Sequence, residues 1–254
     1  MPTLKTEVVD AGIAHVQLHR PEARNAINLE MVKELTALLD TLSADESIRA
    51  VVLSGHPGGK AFASGADIAE LRARTHNEAF PAINATLFQK VEDFPRPVIA
   101  AIEGYALGGG LELALSCDLR VASRAAKVGL PETSLGIYPA AGGTWRLPRL
   151  IGLGRAKELV FTGRILDAEE AYALGMFERL VPEGDAVKEA LGLAGAIARN
   201  SPLAVRVAKV SLNAAARALD ASPLEKLGQA ILFDSPEKHE RMTAFLEKRS
   251  RKQE

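Results

Sequence analysis

The stretch that decides the fold of this chain runs from residue 104 to residue 115 and reads Gly104-Tyr105-Ala106-Leu107-Gly108-Gly109-Gly110-Leu111-Glu112-Leu113-Ala114-Leu115. A continuous apolar strand precedes it, and an apolar helix that carries one carboxylate follows its glycines. Glycines let a backbone turn tightly and approach a ligand closely. Free amides at a helix start favour an oxyanion. One or two glycines suffice for an ordinary turn, so three before a carboxylate predict a binding turn.

Two glutamates lie in surroundings that are costly for a charge. Glu112 has leucines on both sides, which leave little polar surface for its carboxylate to reach. Glu132 directly follows Pro131, with Leu130 before it. Burial raises the pKa of a carboxyl unless a partner keeps it ionised, and two such carboxyls in one cavity can share acid and base duties. An acid after a proline also compensates a helix dipole, so position 132 alone leaves both interpretations open.

Apolar segments separated by helical patterns predict an α/β fold with a mainly parallel sheet covered by helices. The segments are a half-buried strand over residues 14–18 and apolar runs at 50–53, 98–102 and 118–122. Between the first two, Asn28 is expected to cap an amphipathic helix.

Strand signals fade after about residue 150, and the remaining chain is predicted to be helical. Asp167 is expected to cap a helix over residues 168–174, and consecutive helices are expected from residue 185 to 249. We therefore divide the chain into an α/β core over residues 1–195 and a C-terminal helical region over residues 196–254.

Composition is that of an ordinary globular enzyme. Of 254 residues, 47% are hydrophobic and 25% charged, and 31 basic against 32 acidic residues give a formal net charge of −1. Such a balance recruits neither nucleic acid nor an anionic membrane. A single cysteine, Cys117, excludes an internal disulfide, and neither a secretory signal nor a spanning apolar run is seen. We therefore expect a cytoplasmic protein with no membrane or nucleic-acid partner.

Other kinds of site are not supported by the sequence. The second glycine cluster, residues 58–68, lacks the spacing and the serine or threonine of a P-loop, and no Rossmann fingerprint occurs. Neither Ser54 nor Ser64 stands in a nucleophile elbow. The five histidines show no i, i+4 pairing, so no metal site is expected. Trp145 and Arg146 are expected to serve packing and structural ion pairing.

Taken in order, these motifs resemble the enoyl-CoA hydratase/isomerase, or crotonase, superfamily from residue 20 to residue 249. Besides residues 104–114, the most specific stretches are Ala61-Phe62-Ala63-Ser64-Gly65-Ala66-Asp67-Ile68, Leu130-Pro131-Glu132 and Pro139-Ala140-Ala141-Gly142-Gly143-Thr144. The resemblance implies a crotonase-like spiral of β-β-α turns, with a C-terminal helical region that packs at subunit interfaces. It also implies a homotrimer or a homohexamer.

The resemblance assigns roles to individual residues as well. The amides of Ala66 and Gly109 would form the oxyanion hole for the thioester oxygen, while Glu112 and Glu132 would bind water and move protons. Residues expected to bind coenzyme A or the acyl substrate are Arg24, Ala26, Ser64, Ala66, Asp67, Ile68, Gly109, Ala140 and Lys248. Ala140 stands where hydratases commonly have glycine, and its methyl would narrow the pocket. Gln229 stands near an aromatic position that contacts coenzyme A in some members.

Possession of both glutamates favours an enoyl-CoA hydratase that adds water to trans-2-enoyl-CoA and gives 3-hydroxyacyl-CoA. Glu132 is expected to donate the proton to C2 and Glu112 to activate the water. Coenzyme A is part of the substrate, and no metal or redox cofactor is expected.

Three alternatives remain. A Δ3,Δ2-enoyl-CoA isomerase would need Glu132 alone. An RNA-binding homologue would need a lysine-rich helix, whereas helix 28–43 has only Lys33 as a basic residue. A silent assembly subunit would not need both glutamates. Acyl chain length and pathway stay open, because the tail pocket depends on loops such as residues 72–80.

Overall fold

The computed structural model describes residues 2–73, 82–219 and 221–250, and for residues 245, 246 and 248–250 it describes the backbone alone. The chain divides into two compact units, Met1–Ala198 and Arg199–Glu254. The first unit combines strands and helices, and the described part of the second unit contains helices.

Two sheets organise the first unit. Its strands are β1 (Leu4–Val9), β2 (Ile13–Leu18), β3 (Ala50–Gly55), β4 (Ala61–Ala63), β5 (Val98–Ile102), β6 (Tyr105–Leu107), β7 (Leu119–Ser123), β8 (Lys127–Gly129), β9 (Ile165–Asp167) and β10 (Arg179–Val181). The larger sheet has the order β1-β2-β3-β5-β7-β10, and the smaller has the order β4-β6-β8-β9. Only the pairs β1–β2 and β8–β9 are antiparallel among the described strands.

Helices connect the strands and cover the larger sheet. In the first unit they are α1 (Leu29–Ala44), α2 (Ile68–Ala73), α3 (Ile83–Glu92), α4 (Gly109–Ser116), α5 (Gly143–Ile151), α6 (Leu153–Thr162), α7 (Ala168–Ala173) and α8 (Ala186–Ala198). The second unit contributes α9 (Pro202–Ala216), α10 (Ser222–Phe233) and α11 (Pro236–Ser250). No helix in the described ranges is long and apolar enough to cross a bilayer.

The connectivity repeats one pattern three times. Strands β3, β5 and β7 of the larger sheet lead into β4, β6 and β8 of the smaller sheet, and each short strand leads into a helical segment. These segments are α2, α4 and a 3-10 turn over Pro131–Leu135. The predicted spiral of β-β-α turns is therefore confirmed.

The larger sheet is buried on both faces, which is why its central strands read as continuous apolar runs. One face, with Val16, Leu53 and Ile102, packs against α1, α3 and α4. The other face packs against the alanines of α8. The prediction that β2 is half-buried was therefore wrong. His15 is buried, because α8 covers its face and Ser54 lies at a hydrogen-bond distance of 2.9 Å from its ring.

Of the two helix caps predicted from the sequence at Asn28 and Asp167, the structure contains the first and lacks the second. The Asn28 side chain accepts from the Met31 N–H at 3.0 Å, as expected. Asp167 precedes α7 but makes no side-chain cap; its carboxylate binds Lys127, the residue opposite it in the β8–β9 ladder. The cap prediction was wrong, because a cross-strand partner competes with the helix end.

Candidate active site

Helix α4 carries Glu112 into the interior. Every residue of the helix is buried, and Glu112 is 3% exposed. The helix start lies directly on β4, because a Cβ added at Gly110 would stand 2.1 Å from the Ala63 carbonyl oxygen. Glycine is therefore required there, and this close approach fixes the depth at which Glu112 sits.

One oxygen of the Glu112 carboxylate is held by a loop. Oε1 accepts from the Ala141 N–H at 2.8 Å and from the Gly143 N–H at 2.9 Å. Burial raises the pKa of Glu112 above its usual value, and the N–H groups of Gly143 and Ala141 and the charge of Arg146 oppose that rise. Oε2 receives neither of these hydrogen bonds.

Glu132 has different surroundings. It lies in the 3-10 turn and is 9% exposed, and neither of its carboxyl oxygens has a hydrogen-bond partner within the described ranges. Burial raises its pKa to about 7; its own backbone N–H opposes the rise, and the charge of Glu112 adds to it. A Cβ added at Gly108 would stand 3.0 Å from Glu132 Oε1, so this carboxyl faces the glycine turn.

Two backbone amides meet beside the carboxyls. The loop that carries Ala66 is bridged to Ile27 through the Gly65 carbonyl and the Asp67 N–H, which leaves the Ala66 N–H unused. Gly109 is the first residue of α4, and a Cβ added to it would stand 3.4 Å from the Ala66 nitrogen. Neither N–H donates to an acceptor in the part of the chain described. This arrangement suits an oxyanion hole.

Six of the nine residues expected to bind coenzyme A or the acyl substrate lie on two neighbouring loops, residues 20–28 and 64–68. The Ser64 N–H donates to the Arg24 carbonyl at 3.2 Å, and the Ser64 hydroxyl donates to the Ala23 carbonyl at 3.3 Å. Arg24 and Ile68 are exposed, and Ala26 and Ser64 are partly buried. Asp67 accepts from the Ala69 N–H at 3.1 Å at the start of α2.

Two residues that the sequence did not single out hold these loops. Arg20 donates to Asp67 at 3.2 Å and to the Ala26 carbonyl at 2.7 Å. Asn25, fully buried, donates to the Ala61 carbonyl at 2.7 Å. The pKa of Asp67 is lowered although burial opposes it, since the Glu70 and Ala69 N–H groups and Arg20 favour its charge. A positive φ of 56° at Asn25 marks the strained turn, which the sequence alone does not reveal.

The remaining predicted residues are placed as follows. Ala140 is exposed and directly precedes Ala141, whose N–H binds Glu112. Lys248 lies in α11, with its side chain outside the described residues, and most of the predicted tail-pocket loop 72–80 lies outside them too. Arg146 forms the expected ion pair, with Glu92. No group of three or more His, Cys, Asp or Glu side chains in the described ranges is arranged to hold a metal.

The structure thus combines a buried carboxyl pair with two neighbouring backbone amides on a spiral of β-β-α turns, an arrangement suited to polarising a carbonyl and moving protons. The sequence pattern of the family described as enoyl-CoA hydratase/isomerase matches residues 9–254. The chain belongs to this family.

Individual relatives agree with that assignment. The short-chain-enoyl-CoA hydratase of Clostridium acetobutylicum is 39% identical, over 94% of this chain and 93% of its own length. The mitochondrial methylglutaconyl-CoA hydratase of Mus musculus is 39% identical, over 96% of this chain and 80% of its own. The crystal structure of an enoyl-CoA hydratase from Bacillus anthracis gives a TM-score of 0.92 at 38% identity, covering 97% of this chain and 96% of that one. The expected enzyme class, a hydro-lyase, is confirmed.

Proposed function

We propose that this enzyme adds water across the 2,3-double bond of trans-2-enoyl-CoA and gives 3-hydroxyacyl-CoA. The observation that carries the proposal is the asymmetry of the two carboxyls. Glu112 is anchored through Oε1 by two N–H groups, whereas Glu132 has no hydrogen-bond partner among the described residues and a pKa of about 7. Near neutral pH, one group therefore suits a fixed base and the other a proton donor.

The chemistry follows from these positions. The thioester oxygen accepts from the Ala66 and Gly109 amides, which makes C3 electrophilic and stabilises the enolate charge. Glu112 takes a proton from water while the hydroxide oxygen bonds to C3. Glu132 gives its proton to C2. The proton on Glu112 then returns to Glu132 through solvent, so one water is consumed and both carboxyls are restored.

Substitution of each glutamate tests the proposal. With crotonyl-CoA as a short substrate, loss of the conjugated enoyl-thioester absorbance is followed for the wild type, Glu112→Gln and Glu132→Gln. Each variant is expected to lose about 10²- to 10⁴-fold in kcat, because a positioned acid or base contributes that much. Glu34→Gln is the matched control, since Glu34, on α1, also accepts from a backbone N–H, that of Thr3 at 2.8 Å.

The outcomes separate the candidate activities. A wild type that hydrates no enoyl-CoA of short, long or branched acyl chain would refute the hydratase. The unpartnered Glu132 carboxyl also suits transfer of a proton between C2 and C4, as a Δ3,Δ2-enoyl-CoA isomerase requires. Isomerisation of 3-enoyl-CoA that survives Glu112→Gln but not Glu132→Gln would support that second activity.

We also propose that the enzyme is a cytoplasmic homotrimer or homohexamer whose second unit packs at the subunit interfaces. The support is a set of exposed apolar side chains on α9 and α10, namely Val210, Leu212, Leu224, Leu227, Ile231 and Phe233. Large exposed apolar patches commonly mark interaction surfaces. Sedimentation equilibrium of the full chain distinguishes a monomer from the trimer or hexamer.

A further inference from the structure

The loop that anchors Glu112 is itself held from its other side. Arg146, on α5, donates through Nη1 to the Ala141 carbonyl at 3.0 Å. Ala141 therefore binds Glu112 through its N–H and Arg146 through its C=O. Arg146 is 5% exposed, so both hydrogen bonds lie in the interior.

The opposite edge of the guanidinium is fixed as well. Nε and Nη2 of Arg146 lie 2.7 and 2.6 Å from Oε2 of Glu92, on α3. The Trp145 ring centroid lies 4.0 Å from the guanidinium carbon. Gly142, at a φ of 114°, leaves room for the group, because a Cβ added there would stand 2.0 Å from Nη1. The guanidinium thus has one position, set by contacts on three sides.

We propose that Arg146, oriented by Glu92, is a positioning residue for the base Glu112. It holds the Ala141–Gly143 backbone so that two N–H groups converge on Oε1, and it places a positive charge beside the loop that binds that carboxylate. The inference rests on the proposed function, since it assigns Glu112 the role of base.

The charged groups around Glu112 determine the expected pH effect. Arg146 of α5 favours the ionised carboxylate and Glu132 of the 3-10 turn disfavours it, while Glu92 of α3 and Cys117 after α4 interact with Arg146. Removing the guanidinium removes the positive charge, so Glu112 would keep its proton to higher pH. Because a base must be ionised, the acidic limb of the rate profile would move to higher pH.

The test compares Arg146→Met with the matched control Arg120→Met. Arg120 is an equally buried arginine that donates to backbone carbonyls of Cys117 and Met176 at 2.9 Å and pairs with Glu178. For Arg146→Met we expect kcat to fall ~10- to 100-fold, with a smaller change in KM, because small displacements of a catalytic group cost that much. Arg120→Met should lower stability without moving the acidic limb.

Two further variants keep the test decisive. The double variant Glu92→Gln/Arg146→Met removes the buried charge that Arg146→Met leaves behind, so it is expected to fold even if Arg146→Met fails to fold. Arg146→Lys keeps the charge but cannot bridge Glu92 and the Ala141 carbonyl with one planar fork. We expect it to restore the acidic limb and only part of kcat.

A readout independent of turnover separates the two proposals. The Glu112 carboxyl is titrated by carbon NMR of glutamate labelled at Cδ and assigned by its loss in Glu112→Gln. A higher Glu112 pKa in Arg146→Met than in wild type supports the positioning role, whether or not the enzyme hydrates enoyl-CoA. Failure of wild type to hydrate any enoyl-CoA would refute the proposed hydratase function and leave the positioning role standing. If wild type hydrates crotonyl-CoA, but Arg146→Met matches Arg120→Met in kcat, acidic limb and Glu112 titration, the positioning role is overturned.

Discussion

At the scale of single residues, adjacent glycines in one turn have different reasons for being glycine. Gly110 touches the backbone of β4, whereas Gly109 borders the space beside the Ala66 amide. The first contact is structural, whereas the second borders the proposed oxyanion hole. A methyl group added at Gly110 is therefore expected to affect folding, whereas one added at Gly109 is expected to affect catalysis.

We expect Gly110→Ala to be destabilised by at least ~1–3 kcal/mol, because its methyl would overlap the Ala63 carbonyl in a packed core. Gly109→Ala should keep its stability, since 3.4 Å from the Ala66 nitrogen is ordinary contact and alanine suits a helix. Its methyl would nevertheless crowd the oxyanion hole, so kcat should fall by about 10²-fold. Urea unfolding and crotonyl-CoA hydration measure the two effects. Equal loss of stability in both variants would contradict this division.

At the scale of elements, long-range contacts decide what the sequence could predict. The runs at residues 50–53 and 98–102 became β3 and β5, because continuous apolar stretches suit a sheet buried on both faces. Strands β4, β6, β8, β9 and β10 were missed, since three residues are too few to show a period. Strand β1 was missed as well, because most of its residues are exposed and show no alternation.

The residues of the candidate site also divide into those that the local sequence predicts and those that depend on long-range contacts. The local sequence identified Glu112 and Glu132 as candidate site residues, because apolar neighbours and glycines lie beside them in the chain. The contacts that link Arg20 and Arg146 to the proposed site were not predicted, since their carboxylate partners lie 47 and 54 residues away. No local pattern encodes such a pairing.

The Arg20–Asp67 ion pair joins the two loops expected to bind coenzyme A, so its loss should affect binding more than chemistry. We expect Arg20→Met to raise KM for crotonyl-CoA roughly 10-fold, with kcat nearly unchanged, because a hydrogen bond to a charged group is lost. Arg164→Met is the control, since the ion pairs of Arg164 with Glu158 and Glu170 are exposed. A fall in kcat without a change in KM would count against this role of the loops.

At the scale of the whole molecule, the buried carboxyls make stability depend on pH. Folding raises the Glu132 pKa from 4.5 to about 7, so the folded state binds this proton more tightly than the unfolded state. The resulting stability is fully present below pH 4.5 and is lost as pH rises towards 7, a change on the order of 3 kcal/mol. The raised pKa of Glu112 acts in the same direction.

Glu132→Gln should remove much of this loss, because glutamine does not ionise. We expect the unfolding free energy of the variant, relative to wild type, to increase between about pH 5 and about pH 8. Urea unfolding across that range measures the difference. Parallel curves for the two proteins would mean that Glu132 ionises as readily in the folded chain as in the unfolded chain.

The hydrogen bonds that build the site also determine when it forms during folding. Those on Glu112 span 29 and 31 residues, and those of Arg146 and Arg20 span 54 and 47. Closing loops of this length costs chain entropy before any contact is gained, so such pairings form slowly. A refolding chain should therefore show helical circular dichroism before it hydrates substrate. Recovery of hydration activity therefore indicates that all the β-β-α turns of the first unit have packed together.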